Sequence, residues 1–205
     1  MLKYEYHSPL GTMTMLADDA ALHGLWFNDQ KYFGADYALD EIAVGENSII
    51  KRTTAWLDQY FAKQDPDPHA IPLALETTPY RQRILSGLQE VPAGSTITYQ
   101  ELGQKAAPNQ NISKGTARAV GGAVAHNPIL ILVPCHRVIG SDGRLTGYAG
   151  GTARKLALLQ LEGVDCKEQH QPRRDGDCKQ KRHIDCKPKH ESAGKGAIQT
   201  KSMNQ

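Results

Sequence analysis

Three short runs rich in apolar residues open the chain, at residues 2–7, 12–17 and 21–27 (LKYEYH, TMTMLA, ALHGLWF), with SPLG and DD of turn composition between them. This pattern predicts an antiparallel meander. From Ser48 to Phe61, the apolar positions Ile49, Ile50, Trp56, Leu57, Tyr60 and Phe61 fall mostly at helical spacing. They predict an amphipathic helix packed on that sheet. Residues 65–72 (DPDPHAIP) hold three prolines in eight positions, a composition that resists helix and strand alike, so a linker is expected there. Residues 1–72 thus read as a small N-terminal α+β domain.

Beyond the linker the period changes to that of helices. Thr78 is an N-cap candidate and Pro79 suits the first helical position, which predicts a helix to Gln89. Thr98 with Glu101 three residues on has the form of a capping box, opening a second helix that runs to Ala106. After the polar loop 107–113, the stretch SKGTARAVGGAVAHN is rich in small residues and is stopped by Asn127-Pro128, giving a third helix. Helix, loop, helix is the pattern both of a DNA-binding helix-turn-helix and of a plain helical hairpin. The apolar run 129–133 (ILILV) predicts a buried strand or extended segment that delivers the following residues to a pocket floor, and a last helix is expected over 152–162 with Gly163 as its stop. Residues 73–164 form the second, mainly helical domain. The tail 165–205 is rich in Lys, Gln and His with almost no large apolar residues, which predicts disorder.

Composition narrows the function classes. No run approaches the roughly 20 apolar residues of a membrane helix, and the N-terminus lacks a signal-peptide core, so a cytoplasmic location is expected. The formal charge of +2 conceals a gradient. Residues 1–72 carry five basic and eleven acidic side chains, residues 73–164 nine and five, and residues 165–205 ten and six. A polyanionic partner would meet the second half, although ordinary scatter of surface charge gives the same count. Of four cysteines only Cys135 lies in the body, which leaves no disulfide framework there and makes that thiol a candidate for chemistry or a plain core residue. Cys166, Cys178 and Cys186, with His170, His183 and His190, lack the close pair of a strong zinc signature.

Residues 134–140 read PCHRVIG, a nucleophile beside a base. Neighbouring strand side chains face opposite ways, so Cys135 and His136 cooperate only where the chain turns, and Pro134 favours a turn. A helix start would favour the thiolate, and Glu162 is the carboxylate available to orient the imidazole. A Cys135, His136, Glu162 relay is the reading, and on its own it also describes a thiol peptidase.

The longer stretch SKGTARAVGGAVAHNPILILVPCHRVIGSDGRLTGYAGG closely resembles the C-terminal domain of the 6-O-alkylguanine-DNA alkyltransferases, over residues 77–163. Residues 1–72 look like that family's more variable N-terminal domain. The resemblance implies a ribonuclease-H-like α+β unit followed by a winged-helix-like domain with a helix-turn-helix. It implies stoichiometric, irreversible alkyl transfer from 6-O-alkylguanine, with 4-O-alkylthymine a further candidate, in a base flipped from the minor groove of double-stranded DNA. Cys135 is then the acceptor, His136 the water-mediated base, Glu162 its orienting carboxylate and Asn127 the hinge of the recognition helix. Tyr99 crowds a phosphate and protonates the departing guanine. Arg118 fills the gap in the duplex, with Thr116, Ala119, Gly121 and Gly122 on the same DNA-facing helix, and Tyr148, Val138 and Asn127 shape the base pocket. A monomer with no cofactor and no metal is expected, the front domain having no cysteine for the zinc that some members bind. Cys135 argues against a non-catalytic lesion binder, and the lack of a second acceptor cysteine in the front domain argues against an alkylation-sensing activator.

Overall fold

A computed structural model describes residues 1–107, 114–169 and 183–187. Strands β1 (Leu2–Ser8), β2 (Gly11–Ala17) and β3 (Leu22–Phe27) form an antiparallel sheet in the order β1-β2-β3, with Tyr6 opposite Met13 and Met15 opposite Leu25. Helix α1 (Ser48–Phe61) starts at Asn47, whose side chain accepts the Ile50 amide at 2.9 Å. Its buried residues Ile49, Ile50, Thr53, Trp56, Leu57 and Tyr60 make one stripe against the sheet. Each such buried aliphatic contributes about 1.5–3 kcal/mol. Leu16 and Trp26 pack instead with Leu39, so β2 and β3 are covered on both faces.

In the second half, α2 (Pro79–Gln89), α3 (Tyr99–Ala106) and α4 (Lys114–Ala125) pack on one another. Thr98 and Glu101 close the expected capping box, and Thr78 caps α2 with Pro79 in its first turn. Strand β4 (Ile97–Thr98) pairs in parallel with β5 (Val138–Ile139), and α5 (Thr152–Leu161) follows. Residues 108–113, the loop between α3 and α4, lie outside the described residues.

One core runs through both halves: the cluster with Met15, Leu25 and Leu57 also holds Leu85, Val120, Ile131 and Leu158. The junction is hydrogen-bonded as well, because Leu25 N donates to Pro128 O and Leu130 N to Leu25 O, both at 2.9 Å. Arg154 of α5 completes it, bonding Leu10 O at 2.8 Å, pairing with Asp29 and lying 4.3 Å from the centre of the Phe27 ring. Gly11, at φ +119°, turns the β1–β2 hairpin where an added Cβ would stand 2.9 Å from that guanidinium.

Two expectations are corrected. The run 129–133 is buried but is not an extended strand. It makes single bridges only, and Ile131 sits at φ +70° in a turn closed by Val133 N donating to Ile129 O at 3.1 Å. Asn127 holds that turn, donating from Nδ2 to Val133 O at 2.8 Å and accepting from Ile129 N at 3.0 Å. A β-branched residue there costs about 1–3 kcal/mol, which the packed surroundings offset.

The expectation of disorder fails for ten tail residues. β6 (Asp165–Gln169) and β7 (His183–Lys187) form an antiparallel pair cross-linked by a Cys166–Cys186 disulfide. Cys186 packs with Leu159 and Val164, while Leu145 N donates to Ile184 O and Cys186 N to Gly143 O. A cross-link and a ladder need few apolar residues, so composition was a poor guide to these segments. The rest of the tail, with Cys178, His170 and His190, lies outside the described residues.

Candidate active site

Cys135 opens a single 3-10 turn, Cys135–Arg137, directly after the Asn127-held loop. This turn is the geometry that lets consecutive side chains cooperate. The thiol is 2% exposed and accepts a hydrogen bond from Asn127 Nδ2 at 3.1 Å. Asn127 therefore ties the end of α4 to both the loop and the nucleophile.

His136 is fully buried and its Nε2 lies 2.7 Å from Glu162 Oε1. Glu162 caps the C-terminus of α5 and is held from four directions. Besides His136, it accepts Arg137 through Nε at 2.9 Å and Nη2 at 2.8 Å, Tyr60 Oη–H at 2.8 Å and the Gly94 amide at 3.5 Å. Burial by itself would raise the Glu162 carboxyl, but the hydrogen bonds of His136 and Arg137 and the Arg137 guanidinium charge outweigh it and hold the group well below the usual carboxylate range. Burial lowers His136, keeping the imidazole neutral. A neutral ring donating Nε2–H to Glu162 leaves Nδ1 as a base, and Nδ1 is buried with no protein hydrogen-bond partner.

Burial pushes the Cys135 thiol up to about 11, against the downward pull of Asn127 and Lys155. The turn does not lower the resting thiol as the helix-start argument anticipated, because desolvation exceeds what one short turn supplies. Lys155 is itself fully buried on α5, its ammonium donating to Val138 O and to Thr146 O at 3.1 Å, and burial brings it down to about 8.

Cys135 lines a cavity of about 260 Å³ with Tyr99, Gly121, Val124 and Tyr148 of the second half and Lys31 and Tyr32 of the first. Tyr99 Oη is 2.9 Å from Thr146 Oγ1, and burial raises its pKa, so it keeps its proton. The Tyr148 hydroxyl is buried without a protein partner, and its ring stands edge-on to His136. An ideal Cβ on Gly121 would meet the Tyr99 ring at 3.7 Å, so α4 lies close on that side. A larger cleft of about 610 Å³ on the N-terminal sheet, between Lys3, His7, Phe33 and Val44, contains none of these groups.

Most predicted site residues therefore converge. Asn127 is hydrogen-bonded to Cys135 and His136 to Glu162, two pairs that meet at the consecutive residues of one turn, with Tyr99 and Tyr148 on the cavity wall. Val138 does not line the cavity: its side chain is fully buried and its carbonyl serves Lys155. Arg118, Ala119 and Gly122 are exposed on α4, opposite the buried Val120, Ala123 and Val124. Thr116 lies on the same helix. Sequence reasoning passed over Arg137, Tyr60, Tyr32 and Lys155. Only Lys155 carried a signal, a cation three and four residues before Leu158 and Leu159 on the apolar face of α5.

Comparison with known proteins places the chain in a family. Residues 1–75 match the ribonuclease-like domain, and residues 79–164 the DNA-binding domain, of 6-O-methylguanine DNA methyltransferase. The chain is 39% identical over 158 residues to a methylated-DNA--protein-cysteine methyltransferase of Mycobacterium leprae, covering 76% of this chain and 88% of that protein. It is 36% identical over 166 residues to the protein of the same name from Haemophilus influenzae, covering 80% and 87%. The crystal structure of Mycobacterium tuberculosis OGT in complex with DNA superposes with a TM-score of 0.67 at 34% identity, covering 79% of this chain and 92% of that one. The chain belongs to the 6-O-methylguanine DNA methyltransferase family.

Proposed function

We propose that this protein repairs alkylated DNA directly, moving the alkyl group of a 6-O-alkylguanine onto Cys135 Sγ. The observation that carries this reading is the buried thiol at the wall of a base-sized cavity, beside an imidazole whose one free nitrogen faces no protein partner while the other is bound to an ionised carboxylate. His136 Nδ1 takes the thiol proton, directly or through a water, and Glu162 balances the imidazolium that forms. Sγ then attacks the alkyl carbon, a carbon–sulfur bond forms as the carbon–oxygen bond breaks, and the electron pair goes to the purine oxygen. Tyr99 supplies a proton to the purine and is reprotonated from the imidazolium. The net result is a thioether and an unmodified guanine.

A resting thiol near 11 fits this order of events, because ionisation is coupled to a bound substrate. The thioether is not hydrolysable, so each molecule acts once. The base reaches the cavity by extrusion, which costs least for a poorly paired alkylguanine. The exposed face of α4, with Arg118, Ala119 and Gly122, meets the minor groove, and Arg118 fills the gap left in the stack. Thr116 and Gly121 belong to the same contact helix. The protein acts as a monomer, and in the cytoplasm. Among the described residues no helix is long and apolar enough to cross a membrane.

Incubation with duplex DNA containing 6-O-methylguanine should add one methyl to the peptide bearing Cys135 and stop at one per molecule. Continued turnover, or equal transfer by Cys135→Ser, would overturn the assignment.

A further inference from the structure

The cavity has one wall that comes from the N-terminal half. Tyr32 lines it together with Cys135, although the two are about a hundred positions apart. Three observations single this residue out. Its backbone sits at φ +59°, in the left-handed region that an aromatic residue rarely adopts. The residue is 53% exposed, among the most exposed large hydrophobic residues described. Yet the ring is held: it stacks on His126, with centroids 4.2 Å apart and planes 28° from parallel, and His126 Nδ1 is 2.8 Å from Gly122 O in the last turn of α4.

The backbone leading into it is tied down. Gln30 Oε1 accepts the Phe27 amide at 2.9 Å, and the Lys31 amide donates to Ala149 O at 3.2 Å, next to Tyr148. An aromatic ring left in solvent gains nothing for the fold, and the strained backbone that puts it there costs stability. Such an arrangement makes sense where a flat ligand covers the ring.

We propose that Tyr32, backed by His126, is a positioning residue that stacks on the extruded alkylated nucleotide, so that the N-terminal half takes part in holding the base. The inference rests on reading the cavity as the alkylguanine site. It differs from the expected role of Arg118, which acts on the duplex: Tyr32 touches the base itself and so acts on a free base too.

The test is single-turnover alkylation of Cys135 by free 6-O-benzylguanine and by duplex DNA containing 6-O-methylguanine, with native protein, Tyr32→Ala, Tyr32→Phe and His126→Ala. Loss of one base–aromatic stack should raise the half-saturating concentration of the free base about tenfold in Tyr32→Ala, with the maximal rate within about twofold. Tyr32→Phe restores native behaviour because the ring, not the hydroxyl, makes the contact, and His126→Ala falls between. Melting temperature stays unchanged in Tyr32→Ala, since the side chain belongs to no core cluster. Half-saturation in Tyr32→Ala within about twofold of native for both substrates would overturn the role of Tyr32. If the native protein alkylates Cys135 with neither substrate, the reading of the cavity itself is wrong.

Discussion

Tyr60 of α1 donates its hydroxyl hydrogen to Glu162 Oε1 at 2.8 Å, the same oxygen that lies 2.7 Å from His136 Nε2. A residue of the N-terminal half thus shares the carboxylate bound to the buried imidazole. Any donor on Oε1 withdraws charge from the His136 bond, so Tyr60 is expected to lower the basicity of His136 without touching substrate.

Tyr60→Phe should leave the fold intact and cost about 1–3 kcal/mol, since a buried charge-assisted hydrogen bond is lost while Arg137 and Gly94 still hold Glu162. With one donor fewer on Oε1, His136 binds its proton more tightly. The acid limb of the transfer-rate profile should therefore move to higher pH, measured by single-turnover alkylation across a pH series. An unmoved limb would restrict Tyr60 to packing.

The resting Cys135 thiol titrates about 11, above the ordinary 9.0. A raised thiol keeps its proton at neutral pH, so labelling by iodoacetamide should be slow at pH 7 and rise towards pH 11. Asn127→Ala removes the hydrogen bond that most favours the thiolate and should move the labelling midpoint higher still. A native midpoint below 9 would contradict the desolvated thiol.

Glu162 contributes to stability through its depressed pKa. The folded value lies below the unfolded one, so the contribution is complete above the ordinary 4.5 and is lost as pH falls below it. Urea midpoints of native protein and Glu162→Gln should differ most at pH 7 and draw together progressively as pH falls from the ordinary 4.5 towards the much lower folded value. A constant difference would show that the pairing with Arg137 and His136 is not what lowers the carboxyl.

Arg118 is exposed on α4, outside the cavity. Arg118→Ala should slow repair of duplex DNA by about tenfold or more while leaving reaction with free alkylguanine base unchanged, because only the duplex must be unstacked. Equal losses on both substrates would remove Arg118 from base extrusion.

Among the described residues the main core has no member beyond Leu161, and the C-terminal strand pair adds Cys166, Cys186 and Ile184 to a small cluster with Leu145, Leu159 and Val164. Truncation after Val164 should keep cooperative unfolding and lower Tm by a few degrees, an effect on the order of 1 kcal/mol. Loss of cooperativity on calorimetry would place the strand pair in the folding unit.

Elements with strong local signals were legible from residue order. The capping box at Thr98 and Glu101, Pro79 after Thr78, and the stripe along α1 each state their own structure, because caps and periodicity act over a few residues. The strand pair at 165–169 and 183–187 was not legible, since its support is a cross-link between segments that composition treats as solvent-exposed. The extended reading of 129–133 failed for a related reason: a side-chain amide at Asn127 rewards a turn that the apolar residues alone would not choose.

For the site, residue order by itself determined which groups are candidates for the chemistry. A single body cysteine beside a histidine, with a carboxylate closing the last helix, offers a nucleophile, a base and an orienter, since such roles follow from side-chain chemistry. Only tertiary structure decided their company: Tyr60 and Tyr32 brought over from the N-terminal half, Arg137 turned onto Glu162, and a buried Lys155 fastening the carbonyls behind the cavity. Those relationships depend on how two halves pack through one core, and packing is a long-range property that no window of sequence contains.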